Sequence, residues 1–164
     1  GLETHSLVAL PGIPAVQPGD DLPALIRAAA QRASISLENG ALVVAQKIVS
    51  KAEGRTVELA DVVPSPFAVE WSAQWEKDAA VTEIVLRESK RIVRQLGPIL
   101  ITETHHGFVC ANSGIDQSSS GAHGRAVLLP VDPDASARAI RDGFLAAGID
   151  AIDSDDVTLA TMDR

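Results

Sequence analysis

Two short stretches hold side chains that could do chemistry. Gln46-Lys47-Ile48-Val49-Ser50-Lys51-Ala52-Glu53-Gly54-Arg55 follows an apolar run and sets cations where a buried strand gives out. Cys110-Ala111-Asn112-Ser113-Gly114-Ile115-Asp116 follows a second apolar run and sets a carboxylate just beyond a glycine. A cation that can hold phosphate and a carboxylate that can hold a divalent ion are the minimum kit for phosphoryl transfer. Lys51 can act as a point charge on a phosphate, with nearby backbone N–H groups adding neutral donors. The GxxxxGK[ST] pattern occurs nowhere, which closes the P-loop route. The plainer alternative is that Lys47, Lys51 and Arg55 solvate a turn, since charged side chains are mostly exposed. A carboxylate at a strand end in a glycine turn suits Mg²⁺, which takes one or two carboxylates and fills its shell with water and phosphate oxygens. Here the alternative is an Asx-type turn in which Asp116 bonds its own backbone.

Other candidates are weaker. His105-His106 invites a zinc site, but adjacent residues of an extended chain point to opposite sides, so a hairpin-loop pair is the better reading. Cys110 sits in an apolar strand and reads as a buried, inert thiol. Ser118-Ser119-Ser120 lacks a G-x-S-x-G frame and takes no nucleophile role. Asp20-Asp21 most simply caps a helix.

The bulk composition narrows the function classes. At 164 residues and 46% hydrophobic content the chain can bury a real core, as one domain or one domain and part of a second. Its net charge of −8 argues against a nucleic-acid binder. The absence of tyrosine and 3% aromatic content leave little for base stacking. The single cysteine cannot form an internal disulfide and fits a reducing cytoplasm. No apolar run reaches the ~18 residues that span a bilayer, and the first residues lack a signal-peptide pattern.

Several elements must position these residues. Ser6 to Leu10 reads as a short buried strand, and Pro11 to Asp21 as a turn-rich loop. Asp21 caps a helix opening with Leu22-Pro23 and running to about Ala33. Asn39-Gly40 is a turn before a buried strand at Ala41 to Ala45. Phe67 to about Lys77 and Ala79 to Glu88 are helical. Arg91 to Arg94 is strand-like, and Ile99 to Thr102 with Phe108 to Ala111 form a hairpin. Ser118 to Gly124 is a loop and Ala126 to Leu129 a strand. Asp132-Pro133 opens a helix that Gly148 ends. Strands outnumber helices and pair partly as hairpins, so the fold class is α+β, with a mixed or antiparallel sheet and flanking helices. Asp-rich 149–164 is an atypical tail with one weak strand candidate, Val157 to Ala160. The expectation is that the sequence is truncated, discontinuous or diverged here, so that it is not the whole functional polypeptide.

In order along the chain, four segments resemble one family. They are Pro11-Gly12-Ile13-Pro14 with Gly19-Asp20-Asp21-Leu22, then Val43 through Arg55, then Ile101-Thr102-Glu103-Thr104 with His106 through Asp116, and Leu128 through Ala137. The chain resembles the coenzyme F420-0:L-glutamate ligase family, also the N-terminal domain of a two-domain actinobacterial version, over about residues 6–148. The resemblance implies residues 1–148 as the N-terminal portion of a non-P-loop γ-glutamyl ligase. It implies a homodimeric cytoplasmic enzyme that adds γ-linked L-glutamate to the deazaflavin coenzyme F420-0. GTP would drive the reaction through an acyl phosphate, with Mg²⁺ or Mn²⁺ and K⁺ as accompanying cations and no nucleic acid or membrane as partner. Carried over position by position, GTP contacts fall on Ile13, Pro14, Ala15, Val16, Gln46, Lys51 and Ser119, and the metal contact on Asp116. Ser119 stands where the family has asparagine, and Gln46 where a small hydroxyl residue is common. The family's Asp-Thr metal pair and Gly-Arg-rich segment have only loose echoes in Asp153-Ser154 and Asp156-Val157-Thr158. A non-catalytic relative that keeps the nucleotide or coenzyme pocket is the alternative reading. Either way, the expectation is that Lys51 and Asp116 serve the same bound triphosphate.

Overall fold

A computed structural model describes residues 6–37, 41–118 and 124–149, and the backbone of 157–160. In chain order its elements are α1 (Leu22–Ala33), β1 (Leu42–Ala45), α2 (Gln46–Ala52), β2 (Thr56–Glu58), α3 (Pro66–Trp75), α4 (Ala79–Arg87), β3 (Ser89–Leu96), β4 (Ile99–Thr104), β5 (Val109–Ala111), β6 (Asp116–Ser118), β7 (Arg125–Val127), α5 (Pro133–Ala146) and β8 (Val157–Ala160). The strands form two antiparallel three-stranded sheets and one parallel pair, so the α+β expectation holds. No helix among the described residues is long and apolar enough to cross a membrane. The chain divides into two compact units, Gly1–Ala52 with Asp134–Arg164, and Glu53–Pro133.

In the first unit, α1 begins as the sequence predicts. Asp21 accepts the backbone N–H of Ala24 and Pro23 sits in the first turn, where its missing N–H costs nothing. Leu22, Ile26 and Ala29 give α1 a buried stripe. That stripe packs with Val16, Val44, Val49, Ile140 and the fully buried Phe144 of α5. Burying a phenylalanine of this kind stabilises by about 1.5–3 kcal/mol. Strand β1 pairs in parallel with β8, Leu42 opposite Val157 and Ala45 opposite Ala160. The strand expected at Ser6 to Leu10 is absent: Leu7 and Val8 are exposed and the segment joins no sheet among the described residues. An apolar run without a hydrogen-bonding partner has no reason to become a strand.

The second unit holds both antiparallel sheets, ordered β2-β7-β6 and β3-β4-β5. The expected hairpin is β4–β5, with Ile101 opposite Ala111 and a turn closed by Gly107 N–H donating to Thr104 C=O at 2.9 Å. The strand expected over Arg91 to Arg94 is longer and carries two register shifts against β4. Helices α3 and α4 are capped by Ser65 and Asp78. One core gathers Leu59, Val62, Ile84, Ala126 and Leu128, and a second gathers Trp71, Val85 and Leu100.

Candidate functional site

The loop before α1 is held by its own polar contacts. Gly12 has φ +82°, and its carbonyl accepts the guanidinium of Arg32 at 2.9 Å. The Asp20 carboxylate accepts the N–H of Gln17 at 2.7 Å, which closes the turn beyond residues 13–16. Gly19 N–H donates to the carbonyl of Ala52 at 2.8 Å, which straps the loop to the last residue of α2. Val16 is buried in the core and half-buried Ile13 packs against it, while Pro14 and Ala15 stay exposed.

Helix α2 starts directly where β1 ends, without a linking turn. Its rotation is fixed on one side by Val49 and Ser50, both buried, with the Gln46 amide bonded to the Ser50 hydroxyl one turn on. That leaves Lys47, Ile48 and Lys51 on the other side, where they line a cavity of about 380 Å³. Residues 13–16 line the same cavity. Lys51 is half-buried, and its ammonium has no ion pair among the described residues. It lies in the last turn of α2, where a cation suits the negative end of the helix dipole. The first unit therefore brings together five of the expected nucleotide contacts: Ile13, Pro14, Ala15, Val16 and Lys51. Gln46 is not among the cavity-lining residues. Ser119 lies outside the described residues.

Asp116 belongs to the second unit, at the first position of β6 opposite Val127, and is half-buried. Its approach is an unusual backbone turn. Asn112, Ser113 and Gly114 have φ of +49°, +56° and +66° in succession. For non-glycine residues this left-handed conformation costs energy that surrounding contacts must offset. The Ser113 N–H donates to the Thr102 hydroxyl at 3.0 Å, and its own hydroxyl lies 2.7 Å from that of Ser89 and 3.1 Å from the Val85 carbonyl. Asn112 Oδ1 accepts the N–H of Leu100 at 3.3 Å. A Cβ at position 114 would sit 3.0 Å from the Leu129 side chain, so glycine also provides the close approach there. Asp116 therefore starts a strand behind a turn held by side-chain hydrogen bonds, where the sequence places it at a strand end in a glycine turn. Among the described residues no three or more His, Cys, Asp or Glu side chains group as a metal cluster. One carboxylate completed by water and phosphate oxygens fits Mg²⁺ or Mn²⁺ in donor chemistry.

The two histidines have structural partners, as a hairpin-loop pair should. His106 Nε2 lies 2.7 Å from the Pro130 carbonyl and Nδ1 lies 3.0 Å from the Thr104 hydroxyl, with its ring stacked on Phe108. His105 Nε2 lies 2.9 Å from the Arg87 carbonyl. Burial pushes the Cys110 thiol pKa up, which leaves it a poor nucleophile. Arg55 bridges the Leu129 carbonyl at 2.9 Å and Glu88 at 2.6 Å, so this cation of the first motif is used in packing. The position of Lys47 on the cavity wall is what sequence reasoning missed. Its only signal was an i, i+4 spacing to Lys51, and a seven-residue helix is too short to display a period.

Comparison with known proteins gives a consistent result. A family model described as F420-0:Gamma-glutamyl ligase matches residues 12–151. A coenzyme F420:L-glutamate ligase of Methanopyrus kandleri is 43% identical over 142 residues, covering 86% of this chain and 54% of that protein. The protein of the same name from Methanothermobacter thermautotrophicus is 43% identical over 136 residues, covering 82% and 54%. That of Halobacterium salinarum is 38% identical over 153 residues, covering 90% and 58%. The chain thus spans about half the length of the curated relatives it matches.

Proposed function

Because the chain belongs to the F420-0:gamma-glutamyl ligase family, we propose that it carries the nucleotide-holding part of a cytoplasmic, homodimeric enzyme that adds γ-linked L-glutamate to coenzyme F420-0 at the expense of GTP. The observation that carries this reading is that loop 13–16 and Lys51 line one and the same cavity. It unites an anchored loop and a half-buried cation with no ion pair among the described residues.

In the proposed reaction a carboxylate oxygen of the coenzyme attacks the γ-phosphorus of GTP. The bond from that phosphorus to the β,γ-bridging oxygen breaks, and GDP leaves with the electron pair. The glutamate amine then attacks the carbonyl carbon of the acyl phosphate, loses its proton, and inorganic phosphate departs as the amide forms. Lys51 holds phosphoryl oxygens while negative charge shifts toward the leaving GDP. Asp116 would hold Mg²⁺ or Mn²⁺, which when bound neutralises phosphate charge. The turn at 112–114 keeps that carboxylate at a fixed place, so little reorganisation is needed when charge develops.

The test is incubation of the full-length protein with F420-0, L-glutamate, GTP and Mg²⁺ or Mn²⁺, read by mass spectrometry for added glutamyl residues. Lys51→Ala and Asp116→Asn should each lower kcat/KM by about 10²-fold or more. Near-normal turnover by either variant would remove that residue from the mechanism. GTP binding in calorimetry with no glutamate addition would favour the non-catalytic relative.

A further inference from the structure

We propose that Thr102 and Ser113 are positioning residues for Asp116: their hydroxyls clamp the turn before β6 and so fix where that carboxylate meets a divalent cation. The proposal rests on the reading of Asp116 as a metal contact and extends it to two buried side chains of the same unit. Three hydroxyls meet in this core. Ser113 Oγ lies 2.7 Å from Ser89 Oγ and 2.9 Å from Thr102 Oγ1, and Ser89 donates to the Val85 carbonyl at 2.5 Å. Running the protons from Thr102 to Ser113, Ser113 to Ser89 and Ser89 to that carbonyl gives each of them an acceptor. Strand β4 grips the turn twice, through the Ser113 N–H on the Thr102 hydroxyl and the Leu100 N–H on Asn112 Oδ1. Glycine takes a φ of +56° freely, and Gly114 does so next door, yet position 113 carries serine. The energy of that strained serine is offset by bonds only its hydroxyl and a matching Thr102 provide, a pattern that gathers at functional sites. What the clamp controls is the exit of the turn. The Ile115 N–H closes it on the Asn112 carbonyl at 3.1 Å, and Asp116 follows directly, paired across to Val127. Its backbone is thus held between clamp and strand ladder. A fully bonded, buried network of this kind is stiff, which suits a ligand that must not drift.

Titration of the full-length protein with Mn²⁺ alone, followed by electron paramagnetic resonance of the free ion, tests this with wild type, Thr102→Val, Thr102→Ser and Asp116→Asn. Thr102→Val keeps the side-chain volume and removes the acceptor of the Ser113 N–H. It should weaken Mn²⁺ binding by about tenfold, measured well below the melting temperature of each variant. In turnover the KM for Mn²⁺ should rise by a similar factor, with kcat at saturating metal kept. Thr102→Ser retains the hydroxyl and should bind nearly as wild type does. If Thr102→Val does not fold, Asn112→Ala carries the test, since it removes the Leu100 bond from a half-buried side chain, and it must show the same loss. Wild-type Mn²⁺ affinity in the folded variant, with Asp116→Asn impaired, would overturn the proposal and leave the metal reading standing. An equal loss in Thr102→Ser and Thr102→Val would overturn it by assigning the effect to packing. Failure of the wild type to bind Mn²⁺, or full binding by Asp116→Asn, would remove the metal reading and this proposal with it.

Discussion

Single side chains in this protein are placed by specific partners, and Glu83 shows how that becomes a measurable property. Its carboxylate accepts the backbone N–H of Ser65 at 2.8 Å and the Arg87 guanidinium at 2.9 Å. The hydroxyl and N–H of Ser65 do most to hold its pKa below the ordinary carboxylate value; burial opposes them, and Arg87 adds a further lowering. A depressed folded-state pKa means that the unfolded chain binds the proton more readily. The stabilisation is therefore full above the unfolded pKa, near 4.3, and is lost as pH falls through the lower folded value. Glu83→Gln should be less stable than wild type at neutral pH, and the gap should close on acidification past the carboxylate range. Urea midpoints at several pH values check this, and a gap that does not change with pH would show that the ionised form is not what matters. Reading such roles from sequence has a limit that Lys51 and Arg55 illustrate. Both are cations in one motif, yet one lines a cavity and the other bonds Glu88 and the Leu129 carbonyl, in elements far along the chain. Charge type was legible; which cation finds a carboxylate depends on long-range packing.

At the scale of elements, local signals were reliable where a cap, a proline or a glycine sets the boundary. Helix α1 spans Leu22–Ala33 behind its Asp21 cap, and α5 starts at Pro133 behind Asp132. The β4–β5 hairpin was legible from its short glycine-containing turn. Signals failed where the outcome depended on a distant partner or on a short element. Ser6 to Leu10 had the apolar pattern of a strand but no neighbour, and α2 was hidden because it follows β1 without a turn. Strands β2 and β6 are three residues each, too short to show alternation, and exist because β7 lies between them. The contact between α1 and α5 carries a sharp prediction. A Cβ added at Gly143 would fall 2.5 Å from Cγ and 2.9 Å from Cβ of Pro23. Alanine raises helix propensity by about 1 kcal/mol over glycine, but overpacking a rigid proline ring costs roughly 1–3 kcal/mol. Gly143→Ala should therefore be neutral to destabilising by about 2 kcal/mol in chemical denaturation. A clear gain in stability would mean that α5 shifts away from Pro23 without cost.

Across the whole molecule, the net charge of −8 works against a polyanionic ligand at long range, so affinity must come from cations brought close to it and from a bridging metal ion. Lys51 belongs to the first unit and Asp116 to the second. Hydrogen exchange with GTP and Mg²⁺ can follow both at once. Ligand at a hundredfold over its dissociation constant stabilises the binding-competent state by about 2.7 kcal/mol, so amides that exchange only when that state opens should slow by about a hundredfold. Protection should rise at residues 13–19, where the loop is strapped to α2, and through α2 itself. It should rise as well across 112–118, where the left-handed turn meets β6, and that second rise should fade when Asp116 is changed to Asn. GTP without Mg²⁺ should protect the first set more than the second, because only the metal recruits the carboxylate. Protection confined to the first set even with Mg²⁺ would separate the two charges, leaving Lys51 as a nucleotide contact and Asp116 without a part in the phosphoryl step.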